Sequence, residues 1–284
     1  MSGSAPVRMI ASDLDGTFLD PTGAVSPLNR EAVRAAAEAG LHVVFATGRP
    51  PSWLSVLEEL DLAHTVVVAS NGALLYDIAT RQVLQQHAMS NEVVLDLAER
   101  LRAALPGVVF GIQQNDRFGH EPGYFEGVSL TSVPDSVDRA TVSRFLSGLV
   151  EGELSELVTA GEFVKVLVKH PTATAAEMAE VVEQVAGGEV TATYSMGGAT
   201  GLLELSAPGI SKATTLATYA ESLGIDSAEV AAFGDMPNDL AMLHWAGRPH
   251  LMADHDPTMT ELGFPVIGSN ADDAVGRTIL SWLP

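Results

Sequence analysis

The 284-residue chain contains no cysteine. Disulfides, thiolate zinc sites, cysteine nucleophiles and iron–sulfur clusters are therefore excluded, and only oxygen or imidazole ligands remain for a metal. Positive charge is scarce: 15 Lys and Arg stand against 36 Asp and Glu, a formal net charge of −21. General nucleic-acid binding does not fit, because it needs basic side chains to displace counterions from phosphates. The same field repels phosphorylated small molecules, so a phosphate site requires a locally concentrated positive feature. Long hydrophobic runs are also missing. None approaches the roughly 18 residues of a membrane helix, and Met1 to Arg8 has no apolar stretch behind a basic start. The expectation is a cytoplasmic protein with no membrane partner.

What is present is material for a core. Hydrophobic residues make up 46% of the chain, and a mean hydropathy of +0.20 excludes a disordered polymer. The length suits one large domain or two smaller ones. Four short apolar runs rich in β-branched residues end on small or polar residues: Met9 to Ser12, Val43 to Ala46, Val66 to Ser70, and Val230 to Gly234. Lacking alternation, they read as parallel strands covered on both faces. Between them lie helical patterns. Ser26 is a suitable N-cap, Pro27 suits the first helical position, and Leu28, Ala32, Val33, Ala36 and Ala39 form an apolar stripe that Gly40 can stop. A second helix is expected over Pro51 to Leu60, and a later one over Ser211 to Leu223. This alternation predicts a doubly wound, mostly parallel Rossmann-like α/β core.

From about Val83 to Tyr194 the pattern changes to helices near Asn91 to Ala104 and Ala173 to Val185, and strands near Val108 to Gln113, Phe163 to Lys169 and Glu189 to Tyr194. An inserted α+β cap over residues 87–197 is expected, splitting the core into 1–86 and 198–284. Ligands of such sheets bind beyond the carboxyl ends of the strands, so the residues just past each run are the candidates. Asp13-Leu14-Asp15-Gly16-Thr17 sets two carboxylates two positions apart with a glycine to turn the backbone. Thr47-Gly48-Arg49 offers a hydroxyl, a close backbone approach and a guanidinium. Lys212 follows Ser211 at a helix start, where its charge adds to the helix dipole. Gly234-Asp235-Met236-Pro237-Asn238-Asp239 brings further acids after the fourth run. Each taken alone has an ordinary reading, respectively an exposed turn, a capping threonine, a solvated lysine and a helix cap. All four fall at one edge of one sheet.

Together with Ser70-Asn71-Gly72-Ala73 and the long insert, these motifs resemble the haloacid dehalogenase superfamily, and in particular its Cof-type sugar-phosphatase branch. The resemblance runs over essentially the whole chain. It implies a magnesium-dependent phosphohydrolase acting on a small phosphorylated metabolite through an aspartyl-phosphate. On that resemblance Asp13 is the nucleophile and Asp15 the general acid and base. Thr47 bonds the phosphoryl oxygens, and Lys212 pairs with nucleophile and phosphate. Asp13, Asp15 (through its carbonyl), Asp235 and the outer-shell Asp239 hold the metal. Gly16, Gly48, Arg49, Asn71 and Asn238 are placed around the phosphate. Four carboxylates crowded together resist joint ionisation; one Mg²⁺, Lys212 and a proton on Asp15 balance them. A monomer or weak homodimer is expected. A phosphomutase sharing the aspartyl-phosphate, and a non-catalytic sugar-phosphate-binding module, are the alternatives.

Other signals are weaker. His244, His250 and His255 lie near Asp254 and Asp256, but their spacing does not match a helical zinc pair. Met252-Ala253-Asp254-His255 stands where the family usually shows Met-Gly-Asn-Ala, and Met259 stands in place of a lysine. Asn270 reads as a turn residue. In the insert, Arg117, His120, Tyr124, Lys165 and Lys169 could reach substrate or face solvent.

Overall fold

The computed structural model describes residues 5–62, 65–114, 117–126, 139–158, 163–194 and 201–283. The first stretch contains β1 (Met9–Ser12), α1 (Pro27–Glu38), β2 (His42–Ala46), β3 (Val66–Ala69), β4 (Leu74–Asp77) and β5 (Gln82–Gln86). Then follow α2 (Asn91–Ala104), β6 (Val109–Gln114), β7 (Arg117–His120), α3 (Arg139–Ser147), β8 (Leu149–Glu151), α4 (Leu154–Leu157), β9 (Lys165–Lys169), α5 (Ala175–Ala186), β10 (Thr191–Thr193) and β11 (Leu202–Ser206). The chain ends with α6 (Lys212–Ser222), β12 (Val230–Gly234), α7 (Leu240–Trp245), β13 (Arg248–Leu251) and α8 (Ala274–Leu280).

Seven strands form one sheet in the order β13-β12-β1-β2-β3-β4-β5. The pairs from β13 to β3 are parallel, and the β3–β4–β5 meander closes the edge antiparallel. The expected absence of alternation has a direct cause. Ile10, Phe45, Val67 and Phe233 pack into a core under α1 and α8, while Met9, Ala11, Val44 and Val68 pack into a second one under α6 and α7. Both faces are dry, so every strand position wants an apolar side chain, each worth roughly 1.5–3 kcal/mol when fully buried. Ser26 caps α1 by accepting the Asn29 N–H at 3.0 Å. Asn29, wholly buried, donates to the Phe18 carbonyl (2.6 Å) and accepts from the Gly276 N–H (2.8 Å). One amide thus ties α1, α8 and the loop after β1 together.

The second sheet has the order β10-β11-β9-β6-β7-β8, antiparallel except for β7 with β8. Its two faces differ. Phe110, Ile112, Val166, Val168, Leu203 and Leu205 join residues of α2 and α5 in a third core. The mostly parallel core sheet plus a separate α+β unit is the fold class the patterns predicted.

Three details differ from expectation. Pro51 to Leu60 is not an α-helix but two short 3₁₀ segments, Pro51–Trp53 and Ser55–Leu60. Pro50 and Pro51 remove two N–H donors at its start, and Leu54 leaves helical geometry between the two turns. The point of return to the core, expected at 197/198, lies outside the described residues. The next described strand, β11, still pairs with β9 and β10, because Leu203 and Leu205 complete the third core. Lys165 is also buried rather than on a solvated face. No described helix is long and apolar enough to cross a membrane.

His250 on β13 stacks on Phe233 at 4.8 Å and packs beside Trp282 at 5.5 Å. Burial, reinforced by the charge of Arg248, pushes its imidazole down to about 4 from the ordinary 6.5. The folded value lies below the unfolded one, so this contribution is complete above about pH 6.5 and is lost as pH falls towards 4. His250→Phe keeps the stack and removes the titration. Thermal melts across that window should show a smaller loss of Tm for the variant than for the parent. Equal losses would show that His250 takes no part in acid sensitivity.

Candidate active site

The carboxyl ends of β1, β2, β3 and β12 meet at one edge, and the loops after them carry the candidate residues. Asp13 leaves β1 with its N–H on the Phe233 carbonyl (3.0 Å). The chain then makes a tight turn, Leu14–Phe18, closed by the Leu19 N–H on the Leu14 carbonyl at 2.9 Å. The turn brings Gly16 against the β12 loop so closely that a Cβ there would sit 2.3 Å from Asp235 Oδ2. It also aims the Thr17 hydroxyl at Asp235 Oδ1, 2.6 Å away.

Lys212 lies at the start of α6 and is 1% exposed. Its Nζ donates to Asp13 Oδ1 and to Asp239 Oδ1, both at 2.6 Å. Asp239 Oδ2 in turn accepts the N–H groups of Asp235 (3.0 Å) and Met236 (3.1 Å). Asp13, Asp235 and Asp239 each present an oxygen within 4.8 Å of the others, and all three are buried. Burial, together with the neighbouring acids, raises Asp13 well above the carboxylate range despite Lys212. Burial and Asp239 push Asp235 up to about 7. Burial alone would depress Lys212; the two carboxylates that it bridges outweigh that and raise it. The physical content is a shortage of positive charge. Three carboxylates share one ammonium, leaving two charges uncompensated, and a divalent cation with hard oxygen ligands supplies that balance.

Asp15 is not in this cluster. Its side chain is half exposed and is held by the buried Arg49 guanidinium, Nε to Oδ2 at 2.8 Å and Nη2 to Oδ1 at 2.5 Å. The charge count from sequence placed a proton on Asp15; here Arg49 neutralises it instead. Beside Asp15 and Gly16 a cleft of about 300 Å³ opens towards Asp20, Thr22 and Asn270. Thr47, 1% exposed, accepts the Arg49 N–H on its hydroxyl at 3.1 Å.

The loop after β3 is strained. Ser70 and Asn71 both have left-handed backbones, φ 51° and 57°, at roughly 1–3 kcal/mol each. Gly72 follows at φ 101°, where a Cβ would meet the Ser211 carbonyl oxygen at 2.2 Å. Thr215 donates to the Gly72 carbonyl at 2.7 Å. That contact seats the N-terminus of α6, and with it Lys212. Asn71 is fully engaged, donating to Glu204 and Thr193 and accepting from Asn238 (3.1 Å).

The structure thus brings Asp13, Lys212, Asp235 and Asp239 together, sets Asp15, Gly16, Thr47, Gly48 and Arg49 beside them, and turns Asn71 and Asn238 towards each other. Thr17 and Glu204 were given no role from sequence. The signals were there: Thr17 closes the Asp-x-Asp-Gly-Thr motif, and Glu204 is a lone acid inside the apolar run Leu202 to Leu205. His244 packs on Phe264, His250 stacks on Phe233, and His255 bonds the Met252 carbonyl. These histidines form no ligand group among the described residues. Met259 is buried in the core beneath α6 and α7, a place where a lysine would lack a counter-charge.

A family model described as haloacid dehalogenase-like hydrolase matches residues 10–279. The pyridoxal phosphate phosphatase YbhA of Escherichia coli (strain K12) is 28% identical over 281 residues, covering 97% of this chain and 98% of that protein. The 5-amino-6-(5-phospho-D-ribitylamino)uracil phosphatase YcsE of Bacillus subtilis (strain 168) is 25% identical over 282 residues, covering 98% and 96%. Among solved structures, a haloacid dehalogenase-like hydrolase from B. subtilis superposes with a TM-score of 0.79 at 24% identity, covering 96% of this chain and 99% of that one. At that identity the superposition speaks to fold alone. The chain belongs to the haloacid dehalogenase-like hydrolases. Both curated relatives named above carry the name phosphatase.

Gly72→Ala tests the seating of Lys212. Gly40 also has a positive φ, 86°, but nothing lies within 4 Å of the site of a Cβ there. Gly40→Ala should therefore carry only the left-handed backbone cost, roughly 1–2 kcal/mol, whereas Gly72→Ala should lose clearly more in denaturant melts. Equal losses would remove the close approach from the account.

Proposed function

We infer that the protein hydrolyses a small phosphomonoester through a phosphorylated Asp13, with Mg²⁺ as its metal. The observation that carries this reading is the buried group of three carboxylates around one ammonium, two charges short of balance, at the edge where strand-end loops converge. Asp13, Asp235 and Asp239 would hold the ion, joined by the Asp15 carbonyl. When bound, it supplies positive charge that neutralises the acids and stabilises the phosphoryl oxygens.

The remaining chemistry belongs to the chain. Lys212 holds Asp13 Oδ1, which orients Oδ2 as the attacking oxygen. Attack on phosphorus forms the Asp13 O–P bond and breaks the bond to the ester oxygen. Asp15 gives its proton to that departing oxygen, then takes one from the water that attacks phosphorus. Water adds its oxygen to phosphorus, the Asp13 O–P bond breaks, and inorganic phosphate leaves. Splitting the transfer in two replaces one hard displacement by two easier ones.

Arg49 has a part in this exchange. Its guanidinium matches a phosphoryl group as well as it matches Asp15, so an incoming phosphate dianion competes for it and frees Asp15 to hold a proton. Thr47, Gly16, Gly48 and Asn238 surround the phosphoryl position, and Asn71 orients the site from behind. The unit built on the second sheet, expected over residues 87–197 and extended by β11, serves as a cap that excludes water and selects the leaving group. The names of YbhA and YcsE support a phosphorylated ring compound as substrate class, with a ring-bearing or sugar-like alcohol as leaving group.

A phosphate-release screen over phosphorylated metabolites with Mg²⁺ tests the reading. Release without a bisphosphate activator is expected; an isomerised ester with no phosphate released would favour a mutase. Asp13→Asn should abolish release while leaving the melting transition in place, and undiminished release would refute the nucleophile assignment. Lys212→Ala is expected to lose about 3 kcal/mol of transition-state stabilisation, by comparison with other preorganised donors; a loss below about tenfold would make Lys212 peripheral. Chelation of Mg²⁺ should stop release, and re-addition should restore it.

A further inference from the structure

The alternation of the second sheet puts polar side chains at several positions of one face. Val166 and Val168, Leu203 and Leu205, and Phe110 and Ile112 point into the third core. By the two-residue period of strands, Lys165, Glu204 and Gln113 therefore lie on the opposite face. That face meets the catalytic loops. Lys165 Nζ donates to Glu204 Oε1 at 2.6 Å and to the Gly48 carbonyl at 2.9 Å. Glu204 Oε2 accepts from Asn71 Nδ2 at 2.7 Å. Gln113 Nε2 donates to Ser70 Oγ at 2.9 Å. The side chains of Lys165 and Glu204 are 3% and 8% exposed.

We propose that the buried Lys165–Glu204 pair is the positioning device of the phosphoryl site, one ion pair on the second sheet that grips the loop after β2 through Gly48 and the loop after β3 through Asn71. The proposal rests on the reading of the site as a phosphatase. Two consequences follow from the geometry. The Lys165 bond to the Gly48 carbonyl fixes the peptide plane between Gly48 and Arg49, whose N–H reaches the Thr47 hydroxyl. The Glu204 bond to Asn71 fixes the amide that accepts from Asn238, and Asn238 belongs to the loop that carries Asp235 and Asp239. Both arms end on residues assigned to the phosphate or the metal, though neither Lys165 nor Glu204 touches Asp13. Separation of the second sheet from the loops would leave Gly48 and Asn71 without these holds, so catalytic geometry and cap closure are one event.

A buried ion pair is a poor stabiliser compared with apolar residues of similar volume, whereas removing one partner strands the other charge. That asymmetry separates positioning from plain stability. Lys165→Met and Glu204→Leu should each lower Tm, and the double variant should recover most of that loss. If the pair only held the fold, activity would recover with Tm. Under the proposal, kcat for para-nitrophenyl phosphate stays about tenfold to a hundredfold below the parent in the double variant, with a smaller change in KM.

Asn71→Gly gives an independent arm. It relieves the left-handed backbone while removing the amide that bonds Glu204, Thr193 and Asn238, so Tm is measured beside kcat; kcat should fall in protein that remains folded at the assay temperature. Parental kcat and KM in a folded double variant, or in Asn71→Gly, would overturn the proposal. Absence of phosphate release from the unmodified protein would sink the reading of the site itself and this inference with it, a different result from an active parent with unaffected variants.

Discussion

The site depends on a single ammonium held between two carboxylates. Lys212 is buried, bonded at 2.6 Å to both Asp13 and Asp239, and among the described residues it is the one cation paired with this cluster of three acids. Ionised carboxylates do not collect in a dry place unless something compensates them. The lysine meets part of that demand, and the part left over is two charges, the amount a divalent cation carries. The acidic cluster thus draws in a cation, and with Lys212 that cation would supply the locally concentrated positive charge that an anion needs. The net charge of −21 and a phosphate-processing site are compatible because the attraction is confined to a few ångströms.

Placing Lys212 requires the fold to bring α6 against the loop after β3, and the backbone records the cost. Ser70 and Asn71 are left-handed without being glycine, and Gly72 leaves no room for a side chain against Ser211. Strain of this kind persists only where surrounding contacts over-determine it. Here the contacts come from both sides: α6 through Thr215 and Gly72, and the second sheet through Glu204 and Gln113. The strained turn is the place where core, lysine and cap are made to agree.

Much of this was legible in the chain itself. Continuous β-branched runs signalled a sheet buried on both faces, because both faces do carry helices, and residues just past those runs had to lie at one edge. Asp13 and Asp235 follow from that rule without any side-chain information, and Lys212 from its place at the start of a helix. What escaped had local or tertiary causes. Two prolines and Leu54 break the expected helix at Pro51 into 3₁₀ turns. β11 reads as a return to the core from its position in the chain, but its alternation of Leu203 and Leu205 with Glu204 belongs to a sheet whose two faces differ. Lys165 reads from sequence as facing substrate or solvent, because the partner that buries it, Glu204, is 39 residues away. The bidentate hold of Arg49 on Asp15 was invisible for the same reason.

That hold separates two jobs that a charge count merges. The cluster of Asp13, Asp235 and Asp239 is dry and short of cations, which suits attack and metal binding. Asp15 is half exposed and paired with the buried Arg49 guanidinium. Two carboxylates from one short motif thus sit in opposite environments, and the tight turn at Gly16 separates them. The two positions draw on different cations, Asp15 on Arg49 and the buried cluster on Lys212. Were Arg49 absent, Asp15 would add its charge to the cluster and demand more than one divalent ion and one lysine provide. Arg49 therefore belongs to the charge economy of the site even when no phosphate is bound.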